Sequence, residues 1–554
     1  MESRVTSTTK ARLLLLLLLV CTCGGAVSPR SDTEAEARAL LAWKSTLTIS
    51  DGNAASPLSS WSPASPACGS WSGVACNAAG RVAGLTIRGA GVTGTLDALD
   101  FSALPALASL NLSGNHLAGA IPVNVSLLTS LASLDLSSND LTGGIPAALG
   151  TLRGLRALVL RNNPLGGRIP GSLAKLAALR RLDLQAVRLL GTIPTELGRL
   201  TALSFLDLSR NSLSGELPPS FAGMTKMKEL YLSRNNLSGL IPAELFTSWP
   251  EVTLFFLHYN SFTGGIPPEI GKAAKLRFLS LEANNLTGVI PAEIGSLTGL
   301  KMLDFGRNSL SGSIPPSIGN LKLLVLMALY FNELTGSVPP EVGTMSLLQG
   351  LDLNDNQLEG ELPAAISSLK DLYSVDFSNN KFTGTIPSIG SKKLLVAAFA
   401  NNSFSGSFPR TFCDITSLEM LDLSGNQLWD NKFTGGFPAI LKKCKQLIVL
   451  DIGHIPQGLL ANLTSMMKPQ TEFNLTSLVH HQVLNLDAQL YIANRIDVNW
   501  KMKSYTFQGT IALMIGHIPG NIGDLKLLES LDCSWNELAD SLQDKVMKRC
   551  RAFR

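Results

Sequence analysis

Twelve side chains between residues 205 and 331 are of types that anchor a bound partner: Phe205, Arg210, Tyr231, Arg234, Phe256, His258, Tyr259, Phe278, Glu282, Arg307, Tyr330 and Phe331. Tyr, Phe and Arg are enriched at interface centres and at binding hot spots. Aromatic residues make up only 6% of the 554-residue chain, so their concentration here sets this stretch apart. The chemistry on offer is recognition, not bond-making. The competing explanation is ordinary packing of strand residues on their cross-strand neighbours.

No reaction centre is visible elsewhere. There is no CxxC pair, HExxH helix, G-x-G-x-x-G loop or HRD/DFG set, and the six histidines are scattered apart from His480-His481. No catalytic residue, metal or cofactor is expected. Arg4, Lys10 and Arg12 precede the apolar run 13–20, and Gly24-Gly25-Ala26 follows, the pattern of a secretory signal peptide over 1–26. An eight-residue run is far short of the ~20 needed to span a bilayer, and no later stretch reaches 18 consecutive apolar residues. The expectation is a chain with no membrane span. Loss of the leader lowers the formal charge from +4 to +2, which gives no reason to expect nucleic acid as a partner. In an oxidising compartment the close pair Cys68 and Cys76 is the natural disulfide, while Cys413, Cys444, Cys533 and Cys550 are too scattered to pair from sequence.

What positions the twelve side chains is a repeat. The pattern LxLxxNxLxGxIP recurs, as in "LNLSGNHLAGAIP" (110–122), "LDLSSNDLTGGIP" (134–146), "LDLSRNSLSGELP" (206–218) and "LSLEANNLTGVIP" (279–291). Its asparagine slot falls at Ala90, Asn115, Asn139, Asn163, Val187, Asn211, Asn235, Asn260, Asn284, Asn308, Asn332, Asn356, Asn380, Asn402 and Asn426. The fourteen steps are 24 residues apart from two of 25 and one of 22. Such regularity implies one unit stacked many times, none able to bury its leucines alone. LxL predicts a short strand, the Asn side chain a bond to the turning backbone, Gly a tight turn and Pro an extended return. Parallel strands at ~4.8 Å would line an inner arc of about 65 to 70 Å.

Ahead of the array, "TEAEARALLAWKSTL" reads as an amphipathic helix with Leu40, Leu41, Trp43 and Leu47 as apolar contacts, followed by "SWSPASPACGSWSGVAC". A terminal unit exposes a raw apolar edge, so the helix, Trp61, Trp71 and the Cys68–Cys76 loop are expected to cap it. Cap and repeats together, over about residues 32–440, resemble the extracellular part of plant leucine-rich-repeat receptor-like proteins and receptor-like kinases. The resemblance implies an α/β solenoid: a right-handed leucine-rich-repeat superhelix with parallel strands on the concave face and a helical, disulfide-closed N-terminal cap. It also implies perception of a peptide or protein ligand on that face, with an LRR receptor-kinase co-receptor, in defence or development, at the cell surface or in the apoplast, where relatives are anchored in the plasma membrane.

In this register the residues one, two, four and six places before each asparagine project from the concave strands, and the twelve side chains occupy these slots. Asp135, Asp183, Asp207, Asp304, Asp352, Asp376 and Asp422 recur in the same slots and read as a generic polar surface. Glycosylation sequons fall at Asn111, Asn124, Asn236, Asn285, Asn401, Asn462 and Asn474. Of these only Asn111 and Asn401 occupy strand-face slots, both outside the 205–331 stretch.

The pattern breaks near "LDLSGNQLWDNKFTGG" (421–436). The strand at 421–423 is followed by one at 450–452, 29 residues on, and "LDIGHIP" and "IGHIP" (515–519) each reach IP without an asparagine turn. Two joins losing the same part of a unit favour deletion or mis-splicing over a new loop. The resemblance places a second cysteine one unit after Cys413, and that place reads as lost. The expected organisation is a signal peptide (1–26), cap (27–84), repeats (85–456, irregular after 428), a non-repeat island-like segment (457–514), residual repeat (515–540) and a basic tail (541–554). The expected function is a receptor-like recognition ectodomain truncated before its anchor. Alternatives are a secreted inhibitor of cell-wall enzymes, like the polygalacturonase inhibitors, or a non-functional truncated product.

Overall fold

The structure is a computed structural model that describes residues 29–49, 57–407, 409–428, 449–453 and 513–515. The expected signal peptide, the basic tail and most of the island-like segment lie outside these residues, as do Asn462, Asn474, Cys444, Cys533 and Cys550. The chain divides into two compact units, Met1–Leu190 and Gly191–Arg554.

The first unit opens with the helix Pro29–Lys44, whose Leu40 and Trp43 are fully buried while Leu41 and Leu47 are half-buried. The Trp43 indole N–H donates to the Thr95 carbonyl at 2.9 Å, tying helix to array. Trp61 and Trp71 stack with centroids 5.3 Å apart, and Cys68 and Cys76 form the expected disulfide with Cα atoms 5.7 Å apart. Glu36 is fully buried. Its carboxylate pairs with Arg81 Nε at 2.7 Å and accepts the Val82 N–H at 2.9 Å, the double satisfaction a buried charge requires. Strand Val74–Cys76 runs antiparallel to Val82–Thr86. From there a parallel ladder begins, with Leu85, Leu110, Leu134, Leu158 and Leu182 in register.

The second unit carries a parallel ladder of the same kind from Phe205–Asp207 to Met420–Asp422. Leu206, Leu230, Phe255, Leu279, Leu303, Met327, Leu351, Val375, Ala397 and Leu421 follow one another in register and turn into the core. Each coil then crosses a second, outer parallel ladder, such as Asn285–Val289 beside Ser309–Gly312. It returns through a five-residue 3₁₀ helix entered from proline, as at Pro268–Lys272 after Pro267. A 24-residue unit leaves room for little more than one tight turn, which is why the helical layer is 3₁₀. The coil between Asn235 and Asn260 has one residue more and makes an α-helix, Glu244–Ser248, closed by buried Trp249 donating to the Phe221 carbonyl at 3.0 Å.

Within the second unit the asparagines from Asn211 to Asn426 form an internal spine. Asn284 Nδ2 donates to the carbonyls of Leu281 at 3.0 Å and Leu257 at 3.2 Å, and its Oδ1 accepts the Phe262 N–H at 3.0 Å. One side chain thereby satisfies backbone groups of two consecutive coils that water cannot reach. Beyond Met420–Asp422 the ladder continues to Val449–Gly453, with Leu421 opposite Leu450 as the 29-residue spacing predicts, and on to Leu513–Ile515. Cys413 is disulfide-bonded, to a cysteine outside the described residues.

Candidate functional site: the inner strands of the second unit

Strand register sorts the twelve side chains into a floor and an outer row. Tyr231, Phe256 and Phe278 pack with Leu254, Met302 and Leu326 into one apolar cluster, with Phe205 against its edge. Tyr231 lies 5.5 Å from Phe205 and 5.7 Å from Phe256, centroid to centroid, and its hydroxyl donates to Glu229 Oε2 at 3.1 Å. With 5%, 2% and 9% of their surface exposed, Tyr231, Phe256 and Phe278 are held mainly by one another. They are a floor on which a ligand would rest, and the cross-strand packing that competes with a binding role is their dominant contact.

The outer row has a different origin. Arg210, Arg234, Tyr259, Arg307 and Phe331 each precede an asparagine and sit at φ between 50° and 58°, the left-handed region that costs an L-residue about 1–2 kcal/mol. The same slot in the following coils holds Asp355, Asn379, Asn401 and Gly425, types that visit this region most readily. Local backbone preference therefore does not select Arg, Tyr and Phe here. Arg234 lies over the Tyr259 ring at 4.7 Å, and Arg307 over Phe331 at 5.0 Å and Tyr330 at 5.9 Å. Among the described residues neither arginine has an ion pair, and the Nε of each is buried without a hydrogen-bond partner. Phe331 is 39% exposed.

Glu282 stands at the centre. Its Oε1 accepts the Tyr330 hydroxyl at 2.6 Å and the Tyr259 hydroxyl at 3.2 Å. Burial raises its pKa, opposed by the two tyrosine hydrogen bonds and by Arg307 and Arg234. Burial, with the neighbouring carboxylates, likewise raises the Tyr330 phenol, so it stays a donor. His258 rests edge-on against Phe256 and Tyr259, with Nδ1 buried and unpartnered. Burial, reinforced by the charges of Arg234 and Arg210, holds its pKa down at about 3. A neutral imidazole thus separates cationic side chains without adding charge.

Sequence reasoning missed Gly306, the residue that lets Tyr330 reach across two strands to Glu282. A Cβ there would overlap the Tyr330 ring. The signal was legible in "LDFGRN" (303–308), where every other coil carries a side chain in that slot and three read "LDLS". Also missed was the inequality of the repeated aspartates. Asp135 bonds Ser137 through both backbone and hydroxyl, and Asp183 pairs with Arg181 at 3.0 Å and Arg161 at 3.8 Å. Asp304, Asp352 and Asp376 have no cation beside them among the described residues. Of the sequons described, Asn124, Asn236, Asn285 and Asn401 are exposed, while Asn111 is half-buried with its Oδ1 engaged by Ser113.

Comparison with known proteins places this geometry. The leucine rich repeat N-terminal domain matches residues 33–77. Leucine rich repeat models match 129–189, 177–237, 275–297, 299–321, 347–369 and 417–444. A probable leucine-rich repeat receptor-like protein kinase of Arabidopsis thaliana is 44% identical over 97 residues, which is 17% of this chain and only 8% of that relative. Among solved structures, the plant peptide hormone receptor RGFR1 in complex with RGF2 aligns with a TM-score of 0.60 at 34% identity, over 64% of this chain and 60% of that one. The Arabidopsis receptor kinase HAESA with the peptide hormone IDA and the co-receptor SERK1 gives 0.55 at 27% identity, over 78% and 88%. A Leptospira interrogans LRR protein gives 0.53 at 30% identity, over 64% and 87%. Among the described residues no helix is long and apolar enough to cross a membrane.

Proposed function

We propose that this chain, which belongs to the leucine-rich-repeat proteins, is an extracellular ligand-recognition module of the plant receptor type. It binds a peptide or protein on the inner strands between Phe205 and Phe331, recruits a receptor-kinase co-receptor, and acts in defence or developmental signalling. The likeness to receptor ectodomains solved with RGF2, and with the peptide hormone IDA and the co-receptor SERK1, supports the ligand class. In this reading the chain is a binding module and not an enzyme, reaches the cell surface through its leader, and carries sugar at its exposed sequons.

One observation carries the proposal. Arg234, Tyr259, Arg307 and Phe331 occupy left-handed backbone positions that most other coils give to Asn, Asp, Gly or the small residues Ser and Ala, and the two guanidiniums lack ion-pair partners among the described residues. Unfavourable backbone geometry persists where its side chain has another use, and such strain clusters at ligand sites. Rings with stacked guanidiniums suit a ligand that brings carboxylate, sulfate or phosphate to the arginines and apolar surface to Phe331 and the floor.

Selection of a displayed random dodecapeptide library on the immobilised secreted chain tests this. Peptides enriched on the native chain should bind at least 10-fold more weakly to the Arg234→Asn/Arg307→Asn variant. Failure to enrich any sequence, or equal binding by the variant, would overturn the reading.

A further inference from the structure

The apolar floor is interrupted. In the slot six residues before each asparagine, Leu254, Phe278, Met302 and Leu326 succeed one another in register, then come Gly350 and Ser374 before Val396 and Met420 resume the row. Gly350 has no side chain and Ser374 a short one, which leaves a notch in the row beside Leu326. On the same face, two residues along each strand, Asp352 and Asp376 stand opposite one another, on strands about 4.8 Å apart. Ala328 and Ala398 flank them in register.

The polar atoms of this notch are poorly satisfied. Ser374 is 4% exposed, and its Oγ has no hydrogen-bond partner; because side chains alternate along a strand, it shares the face of Asp376. Asn354 Oδ1 is also buried and unpartnered. Asp352 accepts only the Asn354 N–H, at 3.2 Å. Asp376 accepts the Ser378 N–H at 2.9 Å, the Ser378 hydroxyl, and a long 3.5 Å contact from Asn354 Nδ2. Burial pushes both carboxyls upward, reinforced at Asp352 by Asp376 and at Asp376 by Asp422 and Asp355. Two carboxyls, a hydroxyl and an amide oxygen therefore converge with acceptor capacity unfilled and no cation at hand. Unfilled buried acceptors are costly and uncommon in folded proteins.

We infer that the notch at Gly350, walled by Asp352, Asp376, Ser374 and Asn354, is a subsite for a basic organic group of the ligand, a guanidinium or a primary ammonium. Four acceptors call for a multiple donor, and guanidinium offers five N–H groups and ammonium three. No group of three or more His, Cys, Asp or Glu suited to a metal ion exists among the described residues, which favours an organic cation. Leu326 supplies apolar surface for the methylene stem of Arg or Lys. The inference rests on the inner face being a ligand surface and adds polarity to it. The ligand's anionic groups lie over Arg234 and Arg307, and its basic group two to three coils further on.

Two probes test it on the full secreted chain. Arginine amide, titrated against neutral citrulline amide, should slow hydrogen exchange of backbone amides at 350–354 and 374–378, and citrulline amide should not. Asp352→Asn/Asp376→Asn, which keeps shape and removes both charges, should abolish that protection, and Ser374→Ala, which removes only the hydroxyl, should weaken it. Library peptides enriched on the native chain should carry Lys or Arg at one fixed position. Its replacement by norleucine should cost at least 10-fold on the native chain and less than 2-fold on Asp352→Asn/Asp376→Asn. Equal protection by both amides, or a basic preference unchanged by the double substitution, would overturn the subsite. That result leaves the wider recognition role standing if peptides still enrich in an Arg234- and Arg307-dependent way. Absence of any enriched peptide together with absence of amide protection would sink both.

Discussion

Within the second unit, the coils from Phe205 to Phe331 and those from Gly350 to Gly425 share one backbone and differ in what they hang on it. In the first stretch the slot before each asparagine carries Arg, Arg, Tyr, Ala, Arg and Phe at positive φ, and the floor is aromatic and apolar. In the second the same slot carries Asp, Asn, Asn and Gly, and the floor shrinks to Gly350 and Ser374 beside Asp352 and Asp376. The second choice relaxes the backbone and leaves acidic groups short of partners; the first strains the backbone to display cations and rings. A repeat fixes where side chains go, and departures from its consensus show what the surface is for.

The largest way to break this comparison is through the floor. Phe256→Ala removes a ring that is 2% exposed and should cost about 3–5 kcal/mol, read by denaturant unfolding and by hydrogen exchange of the neighbouring strands. Ser374→Ala, in the acidic stretch, should cost under about 0.5 kcal/mol, since its hydroxyl has no partner. Similar losses at both positions would mean that the two floors are mechanically alike. Next in size is Tyr330→Phe, which deletes the 2.6 Å bond to Glu282. A cost of about 1.5–3 kcal/mol is expected for a bond to an ionised group, and Gly306→Ala should mimic part of it by displacing the ring.

Opposite responses to pH sharpen the contrast. His258, held at about 3 against about 6.5 unfolded, contributes stability that is complete above pH 6.5 and is lost as pH falls toward 3. Asp376, pushed up to about 6 against about 3.9 unfolded, binds its proton more tightly when folded. Its contribution is complete below pH 4 and is lost as pH rises through 6, a difference of about 3 kcal/mol. Exchange should therefore quicken on acidification around 254–258, against the opposite pull of the raised Glu282 carboxyl one coil on, and on neutralisation around 350–378, and Asp376→Asn should flatten the second profile. A common direction in both stretches would contradict these assignments.

The smallest effect is the most specific. Arg307→Asn relieves the left-handed backbone but forfeits the stacking on Phe331 and Tyr330, so stability should change by less than about 0.5 kcal/mol while ligand binding is lost. Asn379→Arg puts the strained residue where nothing supports it and should cost about 1 kcal/mol. If both substitutions were equally silent, the slot would carry no strain to explain.

Much of this was written in the residue order. The spacing of LxL, Asn, Gly and Pro dictated strand, turn and return, because each of those residue types has one dominant local use. The helix and close cysteine pair ahead of the first strand announced a cap for an apolar edge. The slots fixed which side chains face inward. Only the tertiary structure decided how those side chains share the face. Tyr231, Phe256 and Phe278 sink into a floor because parallel strands bring them within van der Waals reach across coils. Arg234 and Arg307 stay in the outer row because the asparagine turn holds them at positive φ. Identical aspartates diverge because their neighbours one coil away differ: Arg161 beside Asp183, another aspartate, Asp376, beside Asp352. Periodicity is a property of the chain, whereas burial, pairing and pKa depend on contacts 24 or 48 residues away, as between Tyr330 and Glu282, and those exist only once the coils are stacked.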